Sequence, residues 1–299
     1  MLNLLKSHIR KIRYATMIIS VILTLGAIGS FFSYGLNLGL DFTGGEVTEV
    51  NLDKGISNHQ LLSVLQPKLG DFVTVTPSGE NGRWMIRYAT EEKEILPILD
   101  QTLSQISTKH EIVSNSQVGS QVGVELLEQG GMALFVSLTL ILIYLSFRFE
   151  WRLASGALFA LFHDVILVLG FFTFTQLEFN LTAFAAILAV LGYSLNDSII
   201  IADRIRDSLI NKPNGDIKEI NDHAIISTFS RTMVTSGTTL ITISALWIMG
   251  GESLNSFSSA MFIGVLAGTW SSISIGTVIP EKLKLNPIHY QKIKVDTMP

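Results

Sequence analysis

No cysteine occurs anywhere in the chain, which excludes disulfide bonds and thiolate chemistry. Charge is scarce as well. Asp, Glu, Lys and Arg make up only 15% of the 299 residues, and 48% are hydrophobic. A soluble globular domain carries about 25% charged residues. The deficit excludes an ordinary soluble domain and predicts a polytopic membrane protein. Basic residues are also missing from one set of loops, and that absence sets the orientation.

Charge is absent from residues 15–40, 129–147, 153–162, 165–177, 179–196, 232–251 and 253–280. The third and fourth runs join across His163-Asp164, and the fifth continues past Asp197. A bilayer crossing needs roughly 20 apolar residues. Six spans are predicted, near 14–34, 130–147, 153–176, 180–203, 232–249 and 256–279.

Fifteen Lys and Arg residues lie in the two tails and in the loops after spans two and four, among them Arg13, Arg148, Arg152, Arg204 and Arg231. The short loops around Glu178 and Glu252 hold none. Basic loops stay in the cytoplasm, so both termini are expected there. The other 6 of 21 basic residues lie between spans one and two. Segments of that length cross regardless of charge. The first apolar run is longer than the core of a cleaved signal, so it reads as an uncleaved signal-anchor.

The organisation expected is a tail and first span over 1–35, an outer (periplasmic) domain over 36–128, five more spans over 129–282, and a cytoplasmic tail over 283–299. The outer domain opens on Asp41-Phe42-Thr43-Gly44-Gly45, whose glycine pair suits a turn into a strand. Residues 46–52 alternate as a half-buried strand. Ser57 with Gln60 forms a capping box ahead of Leu61, Leu62 and Leu65. A strand at 72–76 ends at Pro77. An Asn81-Gly82 turn leads into a strand at 84–88. Residues 91–106 carry apolar side chains at helical spacing, and 110–115 form a last strand. The order βαββαβ is the ferredoxin-like split. Residues 117–129 are polar and read as a linker. The predicted fold class is therefore a six-helix membrane protein with a small α+β ferredoxin-like outer domain.

Two acids lie inside spans. A carboxylate there costs about 2.5 to 3.5 kcal/mol on insertion scales, so it faces a partner or a hydrated cavity. Asp164 follows His163 in span three, and their neighbouring positions put them on different faces. Either a helix contact or a functional role fits them. Asp197 is the only charge between Phe179 and Ala202. It stands seven residues before Arg204, at a depth similar to Arg231 of span five, and a long arginine can reach inward. Thr228, Thr232, Thr235, Thr239 and Thr242 recur at steps that place five hydroxyls on one face. That stripe suits a hydrated path or a helix contact, and threonine can also bond its own backbone. An acid held between burial and an arginine can load and release a proton, or hold sodium with hydroxyl oxygens. A permanent structural ion pair is the alternative. Span six is rich in Gly, Ser and Ala and suits close packing against another helix.

Asp164 and Asp197 also raise an intramembrane aspartyl protease dyad, which needs two carboxylates sharing one proton. The Gly-x-Gly-Asp context is missing, since Leu195-Asn196 precedes Asp197. No enzyme is expected.

Gly39-Leu40-Asp41-Phe42-Thr43-Gly44-Gly45, His163-Asp164-Val165, Gly192-Tyr193-Ser194-Leu195-Asn196-Asp197 and Ser230-Arg231-Thr232 stand together in this order. With Asp203-Arg204-Ile205-Arg206 and Thr235-Ser236-Gly237-Thr238-Thr239, they resemble the SecF protein-export membrane subunits of the resistance-nodulation-division superfamily. The resemblance covers residues from about 13 to 282. Ser198 and Ala202 stand where Thr and Phe are expected. The resemblance implies a heterodimer with SecD in the bacterial cytoplasmic (inner) membrane, docked on the SecYEG channel that SecA drives. It implies use of the proton gradient, or sodium in some organisms, to promote export of an unfolded polypeptide. Membrane lipid surrounds it, and neither a nucleic acid, a metal nor a cofactor is expected. Asp197, Arg231, Asn196, Asp164, Thr235 and Thr239 are the ion-pathway candidates. Asp41, Phe42, Gly44 and Gly45 form the motif after the first span. A small-molecule exporter of the same superfamily is the alternative, although such exporters are longer chains with two large outer domains.

Overall fold

The structure is a computed structural model and describes residues 2–70, 73–78, 82–88, 95–118 and 120–290. The chain begins with α1 (Leu2–Tyr34) and the single turn α2 (Leu40–Thr43). A sheet domain follows as β1 (Gly45–Asn51), α3 (Asn58–Leu69), β2 (Thr74–Pro77), β3 (Arg83–Tyr88), α4 (Ile95–Leu103) and β4 (Glu111–Val118). Then come α5 (Ser120–Arg148), α6 (Trp151–Thr175), α7 (Leu181–Asn211), α8 (Ile217–Met249), α9 (Glu252–Ile273) and α10 (Ile275–Lys282). A 3-10 turn, Pro287–Tyr290, closes the described chain. Among the described residues, six helices are long and apolar enough to cross a membrane, with α9 and α10 together making the sixth.

The sheet domain has the expected order of elements. Its sheet runs β2-β3-β1-β4, with every pair antiparallel. Alternation along β1 turns Val50 onto a core of Leu61, Leu65, Ile86, Leu99 and Leu103. The capping box at Ser57 is formed in both directions. Asn81, Phe72 and residues 91–94 lie outside the described residues, so the hairpin turn, the start of β2 and the first turn of the expected second helix are not followed there. Lys292 and Lys294 of the tail lie outside them too.

In the bundle, α6, α7 and α9 form the centre, and α5 is almost wholly exposed. Small residues explain how tightly the centre closes. A Cβ on Gly264 of α9 would lie 2.2 Å from Val190 of α7, and one on Gly268 would lie 2.9 Å from the Ser194 Cβ. The small residues of span six thus serve contacts within this chain. On the other side, Gly170 of α6 meets Ala27 of α1.

Three expectations are corrected. The polar stretch 117–129 is not a linker, because α5 starts at Ser120. Gly123 allows this: its α-carbon lies against the Phe42 carbonyl, which a Cβ would approach to 2.6 Å. The basic segment after span four is not an open loop. Helices α7 and α8 extend through it, with Ile205, Leu209, Ile220 and Ala224 in one apolar cluster, and Asp216 caps α8. Asp41, Phe42 and Thr43 form a helical turn rather than a simple turn, with Gly44 and Gly45 at φ 71° and 139° leading into β1.

Candidate functional site

The segment after α1 fastens the sheet domain to the bundle. Leu38 bridges to Phe179. Gly39 N donates to the Phe179 carbonyl at 2.9 Å, and Phe179 N donates to Asn37 O at 2.8 Å. Asp41 Oδ2 accepts from Leu181 N at 2.9 Å, at the start of α7. Phe42 is buried and stacks on Phe179. One strand residue reaches the same place, as Arg87 pairs with Glu178. Burial, with Asp41 nearby, pushes the Glu178 carboxyl above its ordinary range against the pull of Arg87. The motif after the first span is therefore a joint between the sheet and the α6–α7 turn.

Inside the bundle, Asp164 is fully buried. Ser194 of α7 and Ser271 of α9 donate to its Oδ2 at 2.5 and 2.9 Å. His163 Nδ1 lies 2.9 Å from its Oδ1. The expectation that these neighbours diverge is corrected, since the imidazole turns back onto the carboxylate. Each hydroxyl arrives from a different helix, so Asp164 ties α6, α7 and α9 together. Ser194 and Ser271 were not singled out from the sequence as ligands. Their signal was their place beside Gly268, where small residues let helices touch.

Asp197 is also fully buried, on the face of α7 turned to α8. Ser236 Oγ is its hydrogen-bond donor, at 3.5 Å from Oδ2, and lies 2.6 Å from Thr269 Oγ1 of α9. Asp197 Oδ1, Ser198 Oγ and Thr232 Oγ1 are buried without a hydrogen bond among the described residues. The site is thus a carboxylate among hydroxyls contributed by α7, α8 and α9. Among the described residues, Asp164 and Asp197 share no side-chain partner.

Arg231 does not pair with Asp197. It is exposed, and among the described residues it has no carboxylate within ion-pair distance. Asn196 is exposed too. Thr235 and Thr239 are half-buried, and their hydroxyls bond the carbonyls of Arg231, Thr232 and Thr235. The polar residues on the buried face of α8 are Asn221, Thr228, Thr232 and Ser236. The five threonines therefore do not share one environment: Thr228 and Thr232 are buried, Thr235 and Thr239 lie on the flank of that face, Thr242 is exposed, and Ser236 turns to the acid.

A further ionic cluster lies where α1, α8 and α10 meet. Arg13 is completely buried between Glu281, at 2.8 Å, and Asp222, at 3.4 Å. From sequence, Arg13 counted only as one tail charge among several.

A family model described as protein export membrane protein SecD/SecF, C-terminal, matches residues 98–286, and one described as the SecD/SecF GG motif matches residues 29–55. The protein translocase subunit SecF of Vibrio alginolyticus is 38% identical over 284 residues, covering 93% of this chain and 90% of its own. The subunit of the same name from Pseudomonas aeruginosa is 38% identical over 270 residues, covering 90% and 88%. Among solved structures, the crystal structure of SecDF, a translocon-associated membrane protein from Thermus thermophilus, aligns over 93% of this chain at 31% identity with a TM-score of 0.81. The alignment takes up 38% of that longer chain. On this agreement of motif, sequence and fold, the chain belongs to the SecF family of protein translocase subunits.

Proposed function

We propose that this chain works with SecD as an ion-driven device that promotes polypeptide export through the SecYEG channel after the SecA-driven stage. The observation that carries the reading is Asp197, a buried carboxylate with one oxygen facing the Ser236 hydroxyl and the other without a hydrogen bond among the described residues. Such an acid takes up a coupling proton, or sodium, when its surroundings hydrate. One charge crossing 100 mV is worth about 2.3 kcal/mol. That is enough to bias two arrangements separated by a few kcal/mol. Asp164 and its two serines carry the path through the α6–α7–α9 centre. Asn196, Arg231, Thr235 and Thr239 lie toward a less buried side of α7 and α8, which SecD covers in the complex.

The termini lie in the cytoplasm and the sheet domain on the outer face of the cytoplasmic membrane, spanning the 36–128 division. The basic ends support this placement. Arg148 pairs with Asp203 at 2.6 Å and Arg10 with Asp222 at 2.9 Å, so the starts and ends of these helices gather at one end. The test is export into vesicles that carry this chain, its SecD partner, both or neither. The pair should stimulate late export only under an imposed ion gradient. Full stimulation by this chain alone would remove SecD from the account.

A further inference from the structure

Four charges meet at the end of the bundle where α1 begins. Arg13 Nη2 lies 2.8 Å from Glu281 Oε2 and 3.4 Å from Asp222 Oδ1. Arg10 Nε donates to Asp222 Oδ2 at 2.9 Å. The Tyr14 hydroxyl donates to Glu281. Two cations thus face two anions, which neutralises the fully buried Arg13. A buried ion pair adds little stability over apolar packing, and its best-attested use is to fix an arrangement. Among the described residues, none of the three Arg13 nitrogens makes a well-formed hydrogen bond. The attraction is therefore mainly Coulombic, and it survives small shifts that would break a directional bond.

The helices joined here lead to different parts of the protein. Helix α8 carries Asp222 and, about 21 Å further along at 1.5 Å per residue, Ser236 against Asp197. Helix α1 packs along α6 and continues through Asn37 and Gly39 to the joint under the sheet. Asp222 is the acid of α8 that pairs with arginines of α1. We propose that Asp222 with Arg10 and Arg13 passes movement of α8 to α1, making Asp222 and Arg13 positioning residues for the ion-driven step. This rests on the reading that Asp197 is the coupling acid.

The chain lacks cysteine, so Thr74→Cys and Thr175→Cys, at two exposed positions, give it one label pair between the sheet and the bundle. The protein is the complex with SecD in vesicles, with and without an imposed ion gradient. The gradient should shift the label distance and stimulate late export. Asp222→Asn leaves Arg13 paired with Glu281 and should reduce both responses about tenfold, a usual size for coupling between distant sites. Its yield with SecD and its melting temperature should match the parent, and Asp222→Glu should keep both responses within about twofold. A full distance shift in Asp222→Asn overturns the proposal. So does a gradient that moves nothing in the parent complex, or a loss of response that merely follows a loss of yield and melting temperature. Asp197→Asn is the separate arm. A shift that persists there defeats the reading of Asp197, while the link still stands or falls on Asp222→Asn.

Discussion

Ser236 Oγ stands 3.5 Å from Asp197 Oδ2, and it is the contact through which α8 addresses the buried acid of α7. Thr235, its neighbour in the chain, bonds its own helix instead. Ser236→Ala should therefore weaken the gradient response about tenfold or more, since a hydrogen bond to a charged group is worth roughly 1.5 to 3 kcal/mol. Thr235→Ala should leave the response within about twofold. Equal effects in vesicle export would mean that the outer flank of α8, not its buried face, serves the acid.

Close helix contact sets a second expectation. A Cβ on Gly170 would lie 2.3 Å from the Ala27 Cβ, whereas one on Gly26 would meet nothing within 4 Å. Gly170→Val should destabilise the complex by about 1 to 3 kcal/mol through overpacking. Gly26→Ala should change it by less than about 0.5 kcal/mol. Thermal melting of the purified complex separates the two, and a stable Gly170→Val would show that α1 moves away from α6 freely.

The sheet domain carries its own pH signature. Asp53 Oδ2 accepts from Ser107 Oγ at 2.9 Å, Lys109 N at 3.3 Å, Thr108 Oγ1 at 3.1 Å and Thr108 N at 2.9 Å. These donors, Ser107 first, hold its carboxyl below the ordinary value of 3.8. A lowered acid contributes stability that is present above its unfolded pKa and is lost as pH falls through the folded one. Amide exchange around residues 104–110 should be faster in Asp53→Asn at neutral pH. The difference should shrink below about pH 4. A gap that widens in acid would contradict the sign.

Much of the architecture was legible because its signals are local. Charge-free runs located all six spans, and alternation with a capping box gave the order of the sheet domain. The helix ends were less legible. Residues 120–129 and 217–231 are polar enough to read as connectors, yet Gly123 and the Ile220–Ala224 face bury against elements distant in the chain. At the site, Asp164 and Asp197 announced themselves as lone carboxylates in apolar runs. Their ligands Ser194 and Ser271 did not, because serine in a membrane helix reads equally as a packing residue. Arg13 was hidden for another reason: a basic residue at the start of a span has an orientation role that accounts for it without any partner.

Orientation is open to a direct check. Reporter fusions after Ser57 and after Ser253 should read outside the cytoplasm, and one after Asn214 should read inside. An outside signal at Asn214 would overturn the placement of the termini and of the sheet domain together.

The central claim is that Asp197 couples the ion gradient to export. Asp197→Asn keeps the shape of the side chain and removes its ability to ionise. The measurement is late export into vesicles holding the complex with SecD, with and without an imposed gradient, once the ATP-driven stage is complete. The variant should assemble with SecD as the parent does and export at the same rate whether or not the gradient is present. A normal gradient response in Asp197→Asn would contradict the account and leave Asp197 a structural residue between α7 and α8.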